Sequence, residues 1–257
     1  MKAMILAAGL GTRLRPLTDE RPKALVEIGG RTLLEITLRR LRGFGICEVM
    51  VNVHHFAEMV VEYLRAHDNF GMRVEISREE ELLDTGGGLK KAAGFFLRDA
   101  GVEPFVLHNV DVLSSIDLAE MERFHGANKA LATLAVMKRE SSRQLLFDGQ
   151  GRLCGRRSRG EAAEMVRAQG VGYGPGDGPP VADAERAFCG VHVISPGIFA
   201  RMDEAAAFPI IPTYLRLAGE GEKIAAFPAD AYYWRDLGTE ESLRLAAEDV
   251  ARGAVEA

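Results

Sequence analysis

Gly9, Gly11, Thr12, Arg13 and Arg15 crowd into one short stretch directly behind the apolar run Lys2 to Ala7, and Pro22-Lys23 follows closely. The pattern is a strand that runs into a glycine loop studded with cations. Glycines let a backbone approach a ligand closely and turn its N–H groups inward, while guanidinium and ammonium groups match phosphate oxygens. Such a loop can wrap a polyphosphate, and a nucleoside triphosphate is its natural guest. Position 14 is Leu, so G-x-G-x-x-G is not completed, and no G-x-x-x-x-G-K-[ST] follows. The loop is therefore neither that of an ordinary Rossmann dehydrogenase nor that of a P-loop ATPase. A second cluster, Asp84-Thr85-Gly86-Gly87-Gly88, precedes a helical pattern. It reads either as a capped helix start, with Asp84 or Thr85 satisfying N–H groups, or as a place where a flat ring can approach the backbone.

The elements that must hold these loops alternate between apolar runs of strand length and helical periodicity, the mark of a mostly parallel α/β sheet covered on both faces. Thr32 reads as the cap of a helix striped by Leu33, Leu34, Ile36, Thr37, Leu38 and Leu41. Strands are predicted over 49–53, 73–76 and 105–107, with helices over 57–64 and 87–96. Asp111 then falls just past a strand's carboxyl end, the edge at which open α/β sheets bind ligands. In the second half, Asp117 starts a helix, 130–137 and 187–194 read as strands, and 145–156 as a hairpin turning at Asp148-Gly149-Gln150-Gly151. Helices over 210–218 and 240–251 flank a short strand over 224–227. Between residues 170 and 180, eight of eleven are Gly or Pro, which predicts an irregular loop.

Composition narrows the class. The 257 residues suit one domain with a substantial core, its first part over about 1–115 carrying the glycine loop and its second over about 116–245. With 32 basic and 37 acidic residues the formal charge is −5, so no global field draws the chain to nucleic acid. No run of about 18 apolar residues is present, and Met1 leads straight into a strand rather than a signal peptide. No membrane partner and a cytoplasmic location are expected. Cys47, Cys154 and Cys189 lie far apart without a C-x-x-C pair, and all three are expected to be buried thiols. His54-His55 lacks the spaced ligands of a zinc site, and His108 is expected to pack at the site rim.

The string Leu6 to Thr18 followed by Pro22-Lys23 resembles the amino-terminal signature of the sugar-1-phosphate nucleotidyltransferases. Asn109-Val110-Asp111 is similar to that family's metal-binding strand end, Phe188-Cys189-Gly190 to its sugar-side strand, and Trp234 to Thr239 to its second metal-binding segment. The resemblance implies a Rossmann-like doubly wound mixed sheet of the nucleotide-diphospho-sugar transferase (GT-A-like) architecture, with the nucleotide-binding part over about 1–115 and the sugar-binding part over about 116–245. It also implies transfer of a nucleoside monophosphate from an NTP to a sugar 1-phosphate with release of pyrophosphate.

A sugar 1-phosphate is already an ionised nucleophile, so such a reaction needs charge neutralised and atoms aligned more than it needs a base. Asp111 and Asp236 are hard oxygen ligands that suit one Mg²⁺, although either one alone reads equally as a solvated or capping residue. Arg13 suits the departing pyrophosphate because guanidinium binds bidentately and stays protonated, and Lys23 matches the family's phosphate-contacting lysine. Arg15 is open between a phosphate contact and a partnership with an acidic side chain. Ala7, Ala8, Gly9, Gly11, Thr12 and Arg13, with Thr85, Gly86 and Gly87 opposite, are the implied nucleotide contacts, and Asn109 and Gly190 the implied sugar-phosphate contacts. Many hexose-1-phosphate members carry a V-E-K-P-type lysine after the hairpin, where this chain has Gly155-Arg156-Arg157-Ser158-Arg159-Gly160. Arg156 or Arg157 is the candidate replacement.

The short chain, the Thr85-Gly86-Gly87-Gly88 segment and the missing lysine look most similar to N-acetylmuramate 1-phosphate uridylyltransferases, which favours UTP. Mannose- or heptose-1-phosphate guanylyltransferases and phosphocholine cytidylyltransferases are the alternatives. A monomer or homodimer is expected. The reading from a different class is a catalytically silent protein that senses nucleotide sugars.

Overall fold

The computed structural model describes residues 1–98, 102–166 and 182–256. From the amino terminus run β1 (Lys2–Leu6), a small hairpin of β2 (Glu27–Ile28) and β3 (Arg31–Thr32), then α1 (Leu33–Gly43) and β4 (Glu48–Val53). They are followed by α2 (Ala57–Ala66), β5 (Arg73–Arg78), α3 (Asp84–Lys91), α4 (Ala93–Phe96), β6 (Phe105–Asn109) and β7 (Val112–Ser114). The second half holds α5 (Leu118–Asn128), β8 (Ala132–Met137), β9 (Arg143–Phe147), β10 (Leu153–Ser158), β11 (Glu164–Met165) and β12 (Ala184–Ile194). The chain continues through α6 (Ile210–Gly219), β13 (Ile224–Pro228), β14 (Trp234–Asp236) and α7 (Glu240–Ala251).

Ala3, Met4 and Ile5 of β1 are completely buried, so both faces of this strand are covered, as a central parallel strand requires. Successive side chains on a strand point to opposite faces. Accordingly Ala3 and Ile5 join a core with Leu34, Leu38 and Leu41 of α1 and Ala246 of α7, while Met4 joins another with Phe95, Phe96, Tyr214 and Leu217. The main sheet runs β11-β10-β9-β12-β6-β1-β4-β5, with β8 also paired to β12 and β13 to β8. β6, β1, β4 and β5 are mutually parallel, and β12 is antiparallel to both β6 and β8. This is the mixed, doubly wound α/β sheet that the family resemblance implied; the alternating pattern had predicted a mostly parallel one, and the strands of the second half pair largely antiparallel instead.

Helix starts follow local capping chemistry. Thr32 Oγ1 accepts from the Glu35 N–H at 3.1 Å, the Asp117 carboxylate from the Glu120 N–H at 2.8 Å, and Thr239 forms a capping box with Ser242. The helix predicted over 87–96 is instead two helices broken at Ala92, the first opening earlier at Asp84. Two further expectations are corrected. Cys47 is exposed, whereas Cys154 and Cys189 are buried. His108 lies wholly inside rather than at a rim, its Nδ1 bonded to the Asn109 carbonyl at 2.8 Å. The Gly/Pro-rich segment 170–180 lies outside the described residues.

Two other histidines are held in the interior as neutral groups. His192 on β12 bonds the Tyr214 hydroxyl at 2.9 Å, and burial, reinforced by His108, depresses its pKa to about 3. His125 on α5 lies between the Thr133 and Ser195 hydroxyls, each at 2.9 Å, and burial depresses its pKa to about 4. An unfolded histidine titrates near 6.5, so the unfolded chain takes up these protons first as pH falls. The stability tied to neutrality is complete above about pH 6.5 and drains away toward about pH 4, at about 1.4 kcal/mol per pH unit for each residue. Melting temperature is therefore expected to drop steeply between about pH 6.5 and about pH 5. A melting curve unmoved over that window would contradict buried neutral imidazoles.

Candidate active site

Leu6 at the carboxyl end of β1 is level with Asn52 of β4 on one side and Asn109 of β6 on the other. A cleft of about 350 Å³ opens at this edge. It is lined by Ala7, Ala8, Gly9, Gly11, Thr12, Arg13 and Lys23 from the loop, by Asn109 at the end of β6 and Asp111 just beyond it, by Asp84 and Thr85 at the start of α3, and by Gly238.

The loop's shape follows from two anchors. Gly11 has φ +65°, and a Cβ there would stand 3.0 Å from Thr18 Cγ2 and 3.2 Å from Lys23 Cβ, so both backbone and space call for glycine. Its carbonyl accepts from the Leu14 N–H at 2.8 Å and from the Thr18 hydroxyl at 2.9 Å. Leu14 is completely buried and pins the single turn Thr12–Leu14 to the core. The arginines on either side of it remain exposed, and Arg15 pairs with Asp19 at 3.4 Å.

Asp111 sits in the turn between β6 and β7, and β7 pairs antiparallel with β14 so that Asp236 stands opposite Val112. The Leu237 N–H donates to the Asp111 carbonyl at 2.8 Å. The two aspartates, far apart in sequence, are thus brought to one end of the β7–β14 pair, Asp111 in the turn before β7 and Asp236 on β14. Each meets a cation from the loop. Lys23 Nζ donates to the Asp111 carboxylate, with Lys23 only 8% exposed, so this pair is largely withdrawn from water. Arg13 Nη2 lies 3.8 Å from Asp236 Oδ1, which also accepts from the Gly238 N–H at 2.9 Å. A Cβ at Gly238 would overlap the Arg13 guanidinium and stand 2.6 Å from Asp236 Oδ1. Two cations and two carboxylates around one cleft can receive phosphate oxygens and a hard cation together.

Gly86 and Gly87 turn away from the cleft. Their N–H groups both donate to the Phe208 carbonyl, at 2.9 and 3.1 Å, and a Cβ on Gly86 would meet that oxygen at 2.9 Å. The glycines let α3 pack against the segment before α6, which brings Thr85 to the cleft wall, its hydroxyl accepting from the Ile210 N–H at 2.9 Å. Gly190 has φ +74° and backs onto Val112 and Asn109, whose side chains fill the space that a Cβ would need. Arg156 and Arg157, the candidates for the absent lysine, pair with Glu164 at 2.6 Å and with Glu185 respectively.

Two polar lining residues escaped the sequence reading. Asn52 Oδ1 accepts from the Ala7 N–H at 2.7 Å, while its Nδ2 donates to Glu79 Oε1 at 2.7 Å; Glu79 Oε2 in turn accepts from the Leu83 N–H at 2.9 Å. This buried chain ties the loop's first residue to the start of α3. Its signal was present, since an Asn inside the apolar run Val49-Met50-Val51-Asn52-Val53 must find buried partners.

A doubly wound sheet with phosphate-ready cations at its carboxyl edge defines an enzyme frame for nucleoside phosphates, and the chain belongs to the nucleotidyl transferase family, which its residues 2–145 match. Along nearly its whole length it is similar to the N-acetylmuramate alpha-1-phosphate uridylyltransferase of Caulobacter vibrioides, at 31% identity over 96% of this chain and 95% of that protein. The mannose-1-phosphate guanyltransferase of Yarrowia lipolytica is 29% identical over 93% of this chain and 61% of its own length. A UDP-glucose pyrophosphorylase solved with UDP-glucose shares the GT-A-like fold, with a TM-score of 0.73, 17% identity and 98% of both chains covered. The chain is an enzyme of the nucleotidyltransferase class.

Proposed function

We propose that this chain transfers uridine monophosphate from UTP to N-acetylmuramate 1-phosphate, giving the nucleotide sugar and pyrophosphate. The observation that carries the reading is the end-to-end likeness to the Caulobacter uridylyltransferase, a protein of matching length. The cleft supports it with Arg13, Lys23 and Asp111 in its lining. In the reaction an oxygen of the sugar's phosphate attacks the α-phosphorus in line, one P–O bond forms, and the bond to the β-phosphate oxygen breaks. Gly9, Gly11 and Thr12 bind the triphosphate through backbone N–H and hydroxyl groups. Arg13 receives the charge that develops on the leaving pyrophosphate, and Lys23 holds a phosphate oxygen and balances Asp111. Asn109 contacts the acceptor.

The residues fit Mg²⁺. Asp111 in the turn before β7 and Asp236 on the neighbouring β14 offer hard oxygens, and an ion that keeps several waters needs only one or two carboxylates beside substrate phosphates. When bound, the ion supplies charge neutralisation and alignment of the phosphates. The test is pyrophosphate release with Mg²⁺ from UTP, GTP, CTP and dTTP, each crossed with N-acetylmuramate, mannose, heptose and glucose 1-phosphates and phosphocholine. UTP with N-acetylmuramate 1-phosphate is expected to dominate. A dominant GTP pair with mannose or heptose 1-phosphate would overturn the substrate assignment while leaving the class intact.

A further inference from the structure

We propose that Arg139 binds the phosphate of the acceptor 1-phosphate, doing so with a residue outside the hairpin where the resemblance placed that charge. The inference rests on the reading of the cleft as a sugar-1-phosphate nucleotidyltransferase site. β12 is antiparallel to both β6 and β8, so the carboxyl end of β8 emerges at the same edge as those of β1 and β6. Arg139 follows β8 at that edge, across β6 from the glycine loop.

The guanidinium is clamped in place. Its Cζ lies 3.9 Å from the centre of the Trp234 ring, and its Nη2 donates to the Phe188 carbonyl at 2.9 Å. Trp234 is itself fixed by an Nε1–H donated to the Cys189 carbonyl at 2.7 Å. Arg139 thus bridges β14 to the irregularity in β12 where Gly190 stands level with the site. Trp234 and Asp236 alternate on β14 and share a face, and Asp236 acts on the Arg139 charge, opposing the dominant effect of burial on its pKa.

Among the described residues Arg139 has no direct carboxylate partner, Asp236 acting on it only from beyond ion-pair distance; Arg40 shares the unpaired Nε, but both its terminal nitrogens are taken by the Ser114 and Ile116 carbonyls. Arg13, Arg15, Arg156, Arg157 and Arg235 all meet carboxylates. Arg139 is half-buried, its Nε is wholly buried without a hydrogen-bond partner, and among the described residues no carboxylate lies within ion-pair distance. A partly desolvated cation with no anion is costly unless a ligand supplies one. Its planar fork and fixed charge suit a phosphate. The triphosphate side already has Arg13 and Lys23, which leaves the acceptor's phosphate as the anion for Arg139.

Trp234 is the chain's one tryptophan, so its emission reports directly on the stacked guanidinium. The experiment titrates wild type, R139Q and R139K with N-acetylmuramate 1-phosphate and with unphosphorylated N-acetylmuramate while reading Trp234 fluorescence. Pyrophosphate release with UTP is measured on the same proteins, together with their melting temperatures. R139Q is expected to weaken the fluorescence-detected affinity and to raise KM for the 1-phosphate by about 10- to 100-fold, as loss of a charged donor does, with KM for UTP nearly unchanged. R139K should fall between, and the unphosphorylated sugar should leave the emission of wild type unaltered. A saturable response lost in R139Q but without turnover would uphold Arg139 and sink the proposed reaction. Turnover with unchanged acceptor KM in a folded R139Q, an equal rise in both KM values, or no saturable response in wild type would overturn the assignment of Arg139.

Discussion

Asp111→Asn is expected to lower pyrophosphate release by about 10³-fold or more at saturating UTP, because under the proposed metal role of Asp111 its loss forfeits several kcal/mol of transition-state charge stabilisation. The same variant carries a second signature that only this structure predicts. Lys23 is 8% exposed and donates to the Asp111 carboxylate, so neutralising that carboxylate leaves a buried ammonium without its counter-charge. Asp111→Asn and Lys23→Met should therefore each destabilise the chain in metal-free buffer, while the double variant should lose less than their sum. A coupling energy of about 1–3 kcal/mol from urea unfolding is expected for so close a pair. Adding EDTA to wild type should abolish turnover without reproducing the stability loss, since chelation leaves the Lys23–Asp111 contact in place. Wild-type rates in Asp111→Asn would refute the metal role, and additive stabilities would refute a stabilising pair.

Gly238→Ala is expected to show the opposite balance, a fall of about 10²-fold in kcat/KM with little change in melting temperature. The added methyl would overlap the Arg13 guanidinium and crowd Asp236 Oδ1. Both are the free ends of flexible side chains, 63% and 43% exposed, so they can move aside at small cost to folding. Moving them separates the cation meant for the leaving group from the carboxylate that faces it, and a displacement near 1 Å in an active site costs about 10²-fold. Steady-state kinetics alongside thermal melting would check this. A rate within about threefold of wild type would show that Arg13 works from a position that Gly238 does not constrain.

Much of the scaffold was legible because its signals are local. Thr32 and Asp117 cap helices where their hydroxyl and carboxylate predicted, and α7 spans Glu240–Ala251 as expected. The helix expected over 87–96 broke at Ala92, since continuity between neighbouring turns depends on packing rather than on propensity. The glycine loop was legible too, because an apolar run ending in closely spaced glycines and cations is a contiguous pattern. Ala7, Ala8, Gly9, Gly11, Thr12, Arg13, Lys23, Thr85, Asn109 and Asp111, each named from the chain alone, line one cleft.

Pairings were not legible. That Lys23 meets Asp111 and Arg13 meets Asp236 depends on the register of β7 against β14 and on the path of the loop, which no residue spacing encodes. The glycines after Thr85 suggested a surface for a flat ring; in the folded chain Gly86 and Gly87 are packed by the segment before α6, because a bare backbone suits a protein neighbour as well as a ligand. Arg156 and Arg157, the candidates for the absent lysine, are engaged by Glu164 and Glu185, whereas Arg139 drew no notice and is a half-buried guanidinium with no carboxylate in ion-pair reach among the described residues. Sequence by itself determined the alternating α/β scaffold and the phosphate-binding character of the loop, since capping, periodicity and backbone freedom act over a few residues. Only tertiary structure decided which charges are neutralised and which stay available, because Coulomb pairing and desolvation depend on distances between elements that the chain brings together from far apart.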